Sequence, residues 1–211
     1  MAELTLYTNP QSRGRIARWM LEEAGEPYET VILGYGTSMK SADYLAVNPM
    51  GKVPAIKHGE TIVTEAAAIC AYMADAFPNA GLAPPVDRRG DYYRWLFFAA
   101  GPLEAAVTAK AFGLLVPKEK SAAAGYGTYE DVIYALEGAV KDREYIAGDH
   151  FSAADVYVGS QIGWGLMFGT IEKRPAFEAY IARLHARPAA QRANELDDAA
   201  VAEAETQGAS A

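Results

Sequence analysis

A run at 78–87, PNAGLAPPVD, holds three prolines and one glycine and has little capacity to continue a helix. Proline removes a backbone donor and fixes φ, so such a run works as a linker between units. The residues on its two sides carry different periods. Before it, ELTLYT (3–8) alternates Leu4 and Leu6 with polar neighbours and reads as a strand. Ile16, Ala17, Met20, Leu21 and Ala24 then recur at spacings of three and four and stop at Gly25 and Pro27, which makes a helix from Arg13. YETVIL (28–33) reads as a second strand, and 34–43 as a loop leading into a short helical turn. KVPAIKHGETIV reads as a hairpin, with Val53–Ile56 and Thr61–Val63 separated by His58, Gly59 and Glu60. A helix opens at Thr64 and Glu65 and runs through Phe77. Residues 1–77 therefore read as β-α-β followed by β-β-α, a small α/β domain with helices on a mixed sheet.

After the linker the pattern is helical throughout 88–211, with helices expected over 88–113, 128–145, 152–169 and 174–187 and a short one after Pro188. In FSAADVYVG, Ser152 followed by Asp155 forms a capping box, with Phe151 placed as its staple. Gly159, Gly163, Gly165 and Gly169 mark the helix that follows as the central buried one, approached closely by its neighbours. The final residues, AETQGASA, read as frayed.

Composition removes several classes of function. The formal net charge is -8, and 6 basic residues face 9 acidic ones in 1–80 and 13 face 18 in 81–211, so no basic face suits a nucleic acid. The one local excess, Arg13, Arg15 and Arg18, fits either a helix surface or an anion-attracting patch. A single cysteine, Cys70, leaves no intramolecular disulfide, and MAELTLYTNP lacks the basic start and apolar stretch of a secretory leader, so the cytoplasm is the expected compartment. The longest nearly uncharged stretch, Val156 to Ile171, is interrupted by Ser160, Gln161 and four glycines and falls short of the roughly 20 residues that span a bilayer. No membrane span and, with His58, His150 and His185 scattered, no metal site are expected.

The order of these motifs resembles the cytosolic glutathione transferases, in particular bacterial, serine-type, theta- or beta-like members. It rests on a βαβ-ββα unit containing GKVPAI and then TEAAAICAYM, a proline-rich linker, and a helical half containing FSAADVYVG, and it covers nearly the whole chain. The resemblance implies a thioredoxin-like domain that binds glutathione, an all-helical domain that lines the site for the electrophile, and a homodimer. Glutathione enters as co-substrate, and no metal or redox cofactor is implied.

An X-Pro bond is the one that readily tolerates cis, and a cis Pro54 would turn the backbone of Val53 outward to pair with an extended peptide. A trans proline opening an edge strand is the alternative from the residues alone; the resemblance implies cis. Glu65 begins a helix, where anions are favoured. By the resemblance it takes the γ-glutamyl ammonium, while a following serine takes the carboxylate. Here that position is Ala66, which offers only its backbone N–H. Lys52 and Lys40 are the cations implied for the glycine carboxylate.

A thiol near pKa 8.5 is mostly protonated at neutral pH, so the enzyme must stabilise the thiolate. A hydroxyl at the first turn of a helix supplies a charge-assisted hydrogen bond, and the helix end adds to it. Ser12 fits this role and fits helix capping equally well on the residues alone; the resemblance favours the catalytic role, with Tyr7 and Asn9 as rival donors. Cys70, in the middle of its helix, reads as a buried small residue. Among the aromatics of the helical half, Phe112 and Trp164 are expected to line the electrophile pocket. The activity implied is glutathione S-transfer to small hydrophobic electrophiles. A non-catalytic binding or assembly module, or a glutathione-dependent peroxidase or isomerase, are the alternatives.

Overall fold

The computed structural model describes residues 3–208. Contacts divide these into two compact units: the chain up to Ala80 together with the chain from Ala186, and Gly81–His185.

The first unit opens with β1 (Leu4–Thr8), α1 (Gly14–Ala24) and β2 (Tyr28–Ile32), continues through α2 (Ala42–Val47), and closes its sheet with β3 (Ala55–His58), β4 (Thr61–Thr64) and α3 (Ala66–Ala76). The strand order is β2-β1-β3-β4, with β1 parallel to β2 and antiparallel to β3. The expected order of elements is therefore present, although β3 begins at Ala55, two residues later than the apolar run suggested. In β1, Leu4 and Leu6 are buried and belong to the face on which α1 and α3 pack with Ile16, Met20, Ile69 and Met73. Tyr7 points to the other face and packs with Tyr44 of α2, Leu33, Met39 and Val53. This is the period of two doing its work: successive side chains serve opposite layers.

The second unit is helical: α4 (Gly90–Phe98), α5 (Glu104–Ala111), α6 (Tyr129–Val140), α7 (Ala153–Phe168) and α8 (Pro175–His185). The single helix expected over 88–113 is divided by a wide π turn, Ala99–Leu103, that contains Pro102. Proline lacks the N–H and its ring crowds the carbonyl four residues back, and a widened turn relieves both. The helix expected over 128–145 stops at Val140, because the following turn places Asp142 at φ 60. α7 is buried from Ala153 through Ile162 and opens to solvent at Met167 and Phe168, and its capping box forms, with Asp155 accepting from the Ser152 backbone N–H at 2.9 Å. Gly163 meets only ordinary contact from His185 and Gly169 meets none, whereas Gly165 is under close approach. A Cβ there would sit 2.4 Å from the side chain of Ile171, where the chain folds back on the helix it has just left. Gly165→Ala is expected to cost about 1–3 kcal/mol by overpacking, read as a lower urea midpoint with unchanged slope.

The terminal helix differs most from expectation. α9 (Pro188–Gly208) is 21 residues long where a short element was read, and it packs on α1 within the first unit. Of the segment read as frayed, the part up to Gly208 is helical, and 209–211 lie outside the described residues. The two helices run antiparallel in a register of opposite charges. Arg15 meets Asp198 at 2.6 Å, Arg18 meets Asp197 at 2.8 Å, Arg192 meets Glu22 at 2.9 Å, and Arg187 meets Glu23 at 2.7 Å. Arg18 and Asp197 are both buried, and Arg18 also donates to the Tyr28 hydroxyl at 3.2 Å. Among the described residues no helix is long and apolar enough to cross a membrane.

Candidate functional site

The register of the sheet places the motifs. Tyr7 pairs with Ala55, and Ala55 pairs with Thr64. The loop after β1, the residues before β3 and the residues after β4 thus leave the sheet at one end, across two interstrand spacings or about 10 Å. That end carries the Asn9–Arg13 loop, Val53 and Pro54, and Glu65, and α1 and α3 both begin there. An extended tripeptide has about this length, at roughly 3.3–3.6 Å per residue. Two helix N-termini and the adjacent Lys52 make the same end favourable for anionic groups.

The Val53–Pro54 bond is cis. Val53 lies outside the β3 ladder, and among the described residues neither its N–H nor its C=O has a hydrogen-bond partner. The segment before it is held firmly. Tyr44 donates its hydroxyl to the Lys52 carbonyl at 2.6 Å, and the Asn48 amide donates to the same oxygen at 2.8 Å. Both side chains are buried, and burial pushes the Tyr44 phenol up to about 12, so it remains a neutral donor. Asn48 Oδ1 also accepts from Met50 N–H at 3.0 Å, closing the turn that the Asn-Pro pair announces. Lys40 donates to the Met50 carbonyl at 2.9 Å and so lies beside the stretch that carries Lys52, whose own side chain is exposed. Tyr44 and Asn48 were not singled out from the sequence, and only the Asn-Pro turn signal pointed toward either. Tyr44→Phe is expected to lose about 1 kcal/mol of local order and to raise KM for glutathione several-fold with kcat little changed. Steady-state kinetics at fixed electrophile would check it, and an unchanged KM would mean that Asn48 holds the carbonyl alone.

Glu65 caps α3 from a left-handed conformation, φ 68 and ψ 118, unusual for a residue with a side chain. Such conformations persist where surrounding structure imposes them, and they concentrate at ligand sites. Its side chain is exposed, and Ala66 is buried as the first residue of the helix.

Ser12 closes the loop after β1. Its hydroxyl donates to the Asn9 carbonyl at 2.6 Å and accepts from Gly14 N–H at 2.9 Å. It therefore ties down the first N–H of α1, one residue ahead of the N-cap position at Arg13. Asn9 is occupied with structure, donating to the Leu33 carbonyl at 2.8 Å and accepting from Gln11 N–H at 2.9 Å. Tyr7 is packed against Tyr44, 5.6 Å between ring centres. Gly14 was not foreseen. A Cβ there would fall 1.9 Å from Thr8 Oγ1 and 3.0 Å from Ser12 Oγ, so only glycine lets α1 begin this close to the end of β1.

Cys70 is fully buried in α3, and burial pushes its thiol far up, which keeps it protonated and inert. In the helical unit, Phe112 ends α5 with 72% of its surface exposed, and Trp164 is half-buried in α7. Among the described residues no ring contact joins them.

A mixed four-stranded sheet domain with a cis-proline segment at the edge of its third strand, followed by a helical domain, defines a thioredoxin-like protein with a helical second unit. Comparison with known proteins gives the family. The family model described as "Glutathione S-transferase, N-terminal domain" matches residues 13–76, and "Glutathione S-transferase, C-terminal domain" matches 95–188. Glutathione S-transferase GstA of Escherichia coli O157:H7 is 29% identical over 194 residues, 89% of this chain and 96% of that one. A sphingomonad glutathione S-transferase solved in complex with glutathione is 31% identical with a TM-score of 0.71, covering 92% of this chain and 98% of that one. A glutathione transferase from Methylococcus capsulatus gives a TM-score of 0.77 at 29% identity, again over 92% and 98%. The chain belongs to the glutathione S-transferase family, and it is a transferase enzyme.

Proposed function

We propose that this enzyme activates glutathione as its thiolate through Ser12 and conjugates it to small hydrophobic electrophiles. The observation that carries the reading is the convergence, at one end of the sheet, of Val53 before cis-Pro54, the Ser12 hydroxyl at the start of α1, and Glu65 at the start of α3. Glutathione lies extended across that end. Its cysteine unit pairs with the N–H and C=O of Val53, and the γ-glutamyl ammonium meets Glu65. The γ-glutamyl carboxylate takes the Ala66 N–H, and the glycine carboxylate faces Lys52, with Lys40 beside it.

Ser12 gives up the Asn9 carbonyl for the sulfur, a charged acceptor that holds a shorter and stronger bond. The thiolate attacks the electrophile. A carbon–sulfur bond forms and a leaving group such as halide departs with the electron pair, or the thiolate adds to an activated double bond that is then protonated. Neither route consumes an oxidant or a metal, so glutathione serves as co-substrate without a bound cofactor. Phe112 and Trp164 supply apolar lining, and the enzyme works as a cytoplasmic homodimer. A non-catalytic module is not favoured, since the relatives carry the transferase name.

The test is the ultraviolet thiolate absorbance of bound glutathione against pH, followed by turnover of an aryl halide. The reading expects an apparent thiol pKa about two units below the free value near 8.5, and measurable turnover. Glutathione bound with an unshifted thiol, or not bound, removes it. Sedimentation equilibrium addresses the assembly, and a monomer at micromolar concentration would remove the dimer.

A further inference from the structure

The ion pairs between α1 and α9 hold the terminal helix to the first unit, but one of them reaches further. Arg15 uses both sides of its guanidinium: Nη2 meets Asp198 Oδ1 at 2.6 Å, and Nε donates to the Pro10 carbonyl at 2.6 Å. Pro10 lies in the loop that carries Ser12, two residues ahead of it, and offers no N–H of its own to fix the segment. The carbonyl bond is therefore the contact by which a side chain outside the loop takes hold of Pro10. α9 is in turn held in place by the buried Arg18–Asp197 pair and by the two hydrogen bonds from Arg187 to Glu23, at 2.7 and 2.8 Å.

We infer that Arg15 is a positioning residue for the thiolate donor, bridging the Pro10 carbonyl to Asp198 so that the terminal helix sets where the Asn9–Ser12 loop stands. This rests on the reading of Ser12 above, but the positional claim can be tested without it. The planar fork of arginine can address two acceptors on different sides at once, and the point charge of lysine cannot hold both in that geometry. Because Arg15 is largely covered and Asp198 is mostly exposed, the arginine matters more than its partner on α9.

The experiment compares the full-length wild type with Arg15→Ala, Arg15→Lys, Asp198→Asn and the double variant Arg15→Ala/Asp198→Asn, with exposed Glu203→Gln on α9 as control. Two readouts are taken: amide hydrogen exchange along residues 9–24, without ligand, and the thiolate titration and kinetics with glutathione.

Arg15→Ala is expected to speed exchange at 9–15 but not at Met20–Leu21. It should also raise the apparent thiol pKa and lower kcat about tenfold below that pKa with KM for glutathione within about twofold, as a displaced catalytic group does. Arg15→Lys should fall between. Asp198→Asn should cost no more than about threefold, as expected for a partly exposed pair, and its effect should vanish in the Arg15→Ala background.

Unchanged exchange at 9–15 and an unchanged titration in Arg15→Ala would overturn the inference, because Asn9 and Ser12 would then hold the loop unaided. Faster exchange along all of α1 would also overturn it, making Arg15 a general helix stabiliser. Additive single effects would overturn the link to α9. A wild type whose bound thiol is unshifted would remove the Ser12 reading, while the exchange data would still decide the positional claim.

Discussion

Asp155→Ala is expected to cost the helical unit about 3–5 kcal/mol, as several buried neutral donors lose their acceptor together at about 1–3 kcal/mol each. The carboxylate is fully buried and serves four donors. Its Oδ1 accepts from Ile146 N–H at 2.8 Å and from the Tyr180 hydroxyl at 2.7 Å, and its Oδ2 accepts from the backbone N–H and hydroxyl of Ser152 at 2.9 and 3.0 Å. Alanine would leave Ile146 and Tyr180 without their acceptor and remove one half of the capping box of α7, each a cost of about 1–3 kcal/mol for a stranded buried donor. The same side chain therefore starts the central helix, ties it to the turn at Ile146 and receives α8. Urea unfolding followed by tryptophan fluorescence would read the loss, and a change below about 1 kcal/mol would show that the network carries little of the stability.

The pH dependence of this site has a definite sign. Burial pushes the Asp155 carboxyl above its ordinary value, more than the hydrogen bonds from Ile146, Tyr180 and Ser152 pull it down. A folded-state pKa above the unfolded one means that the native state binds more protons in between. This contribution is then fully present below about pH 4 and is lost as pH rises through the folded value. Asp155→Asn should flatten that part of the stability profile, and an unchanged slope would place its origin elsewhere.

Ser12→Ala is expected to lower kcat about 10- to 100-fold near neutral pH, the rate equivalent of the roughly 1.5–3 kcal/mol that a hydrogen bond to a charged group is worth. The thiol of bound glutathione should titrate one to two units higher, by the same free energy. KM for glutathione should change much less, because Val53, Glu65 and the lysines do not depend on the hydroxyl. The variant also loses the bonds to the Asn9 carbonyl and the Gly14 N–H, so some loosening of the α1 start is expected alongside. Ser12→Thr separates the two effects: it keeps a hydroxyl and should retain the low thiol pKa if its added methyl is accommodated. Unchanged kcat and an unchanged titration in Ser12→Ala would reduce Ser12 to a helix cap.

Much of the site was legible because its signals are local. The strand-helix-strand order, the stop at Gly25, the capping box of Ser152 and Asp155, and the X-Pro pair at Val53 are written in residues that are neighbours in the chain. What was missed depends on residues that meet from afar. Tyr44 and Asn48 carry no local signal of this role beyond the Asn-Pro turn, and their shared acceptor, the Lys52 carbonyl, is a backbone atom that no side-chain pattern names. Gly14 carries no local signal of its role, and its necessity appears only when the Thr8 side chain stands over it.

α9 shows most clearly where local reading stops. Its sequence, PAAQRANELDDAAVAEAETQ, has no continuous apolar stripe, so periodicity gave only a short element. The helix is docked through Ala190, Ala193 and Asp197 and through charges that pair with α1 across separations of 183, 179, 170 and 164 residues. Periods, caps and turns, and with them the order of elements and the positions of the motifs, were readable along the chain because each arises between residues a few places apart. The closure of the terminal helix on α1, the carbonyl that Arg15 holds, and the meeting of the loop, Val53 and Glu65 at one end of the sheet emerge from long-range packing. Those facts depend on strand register and on charges that find each other only after the chain has folded.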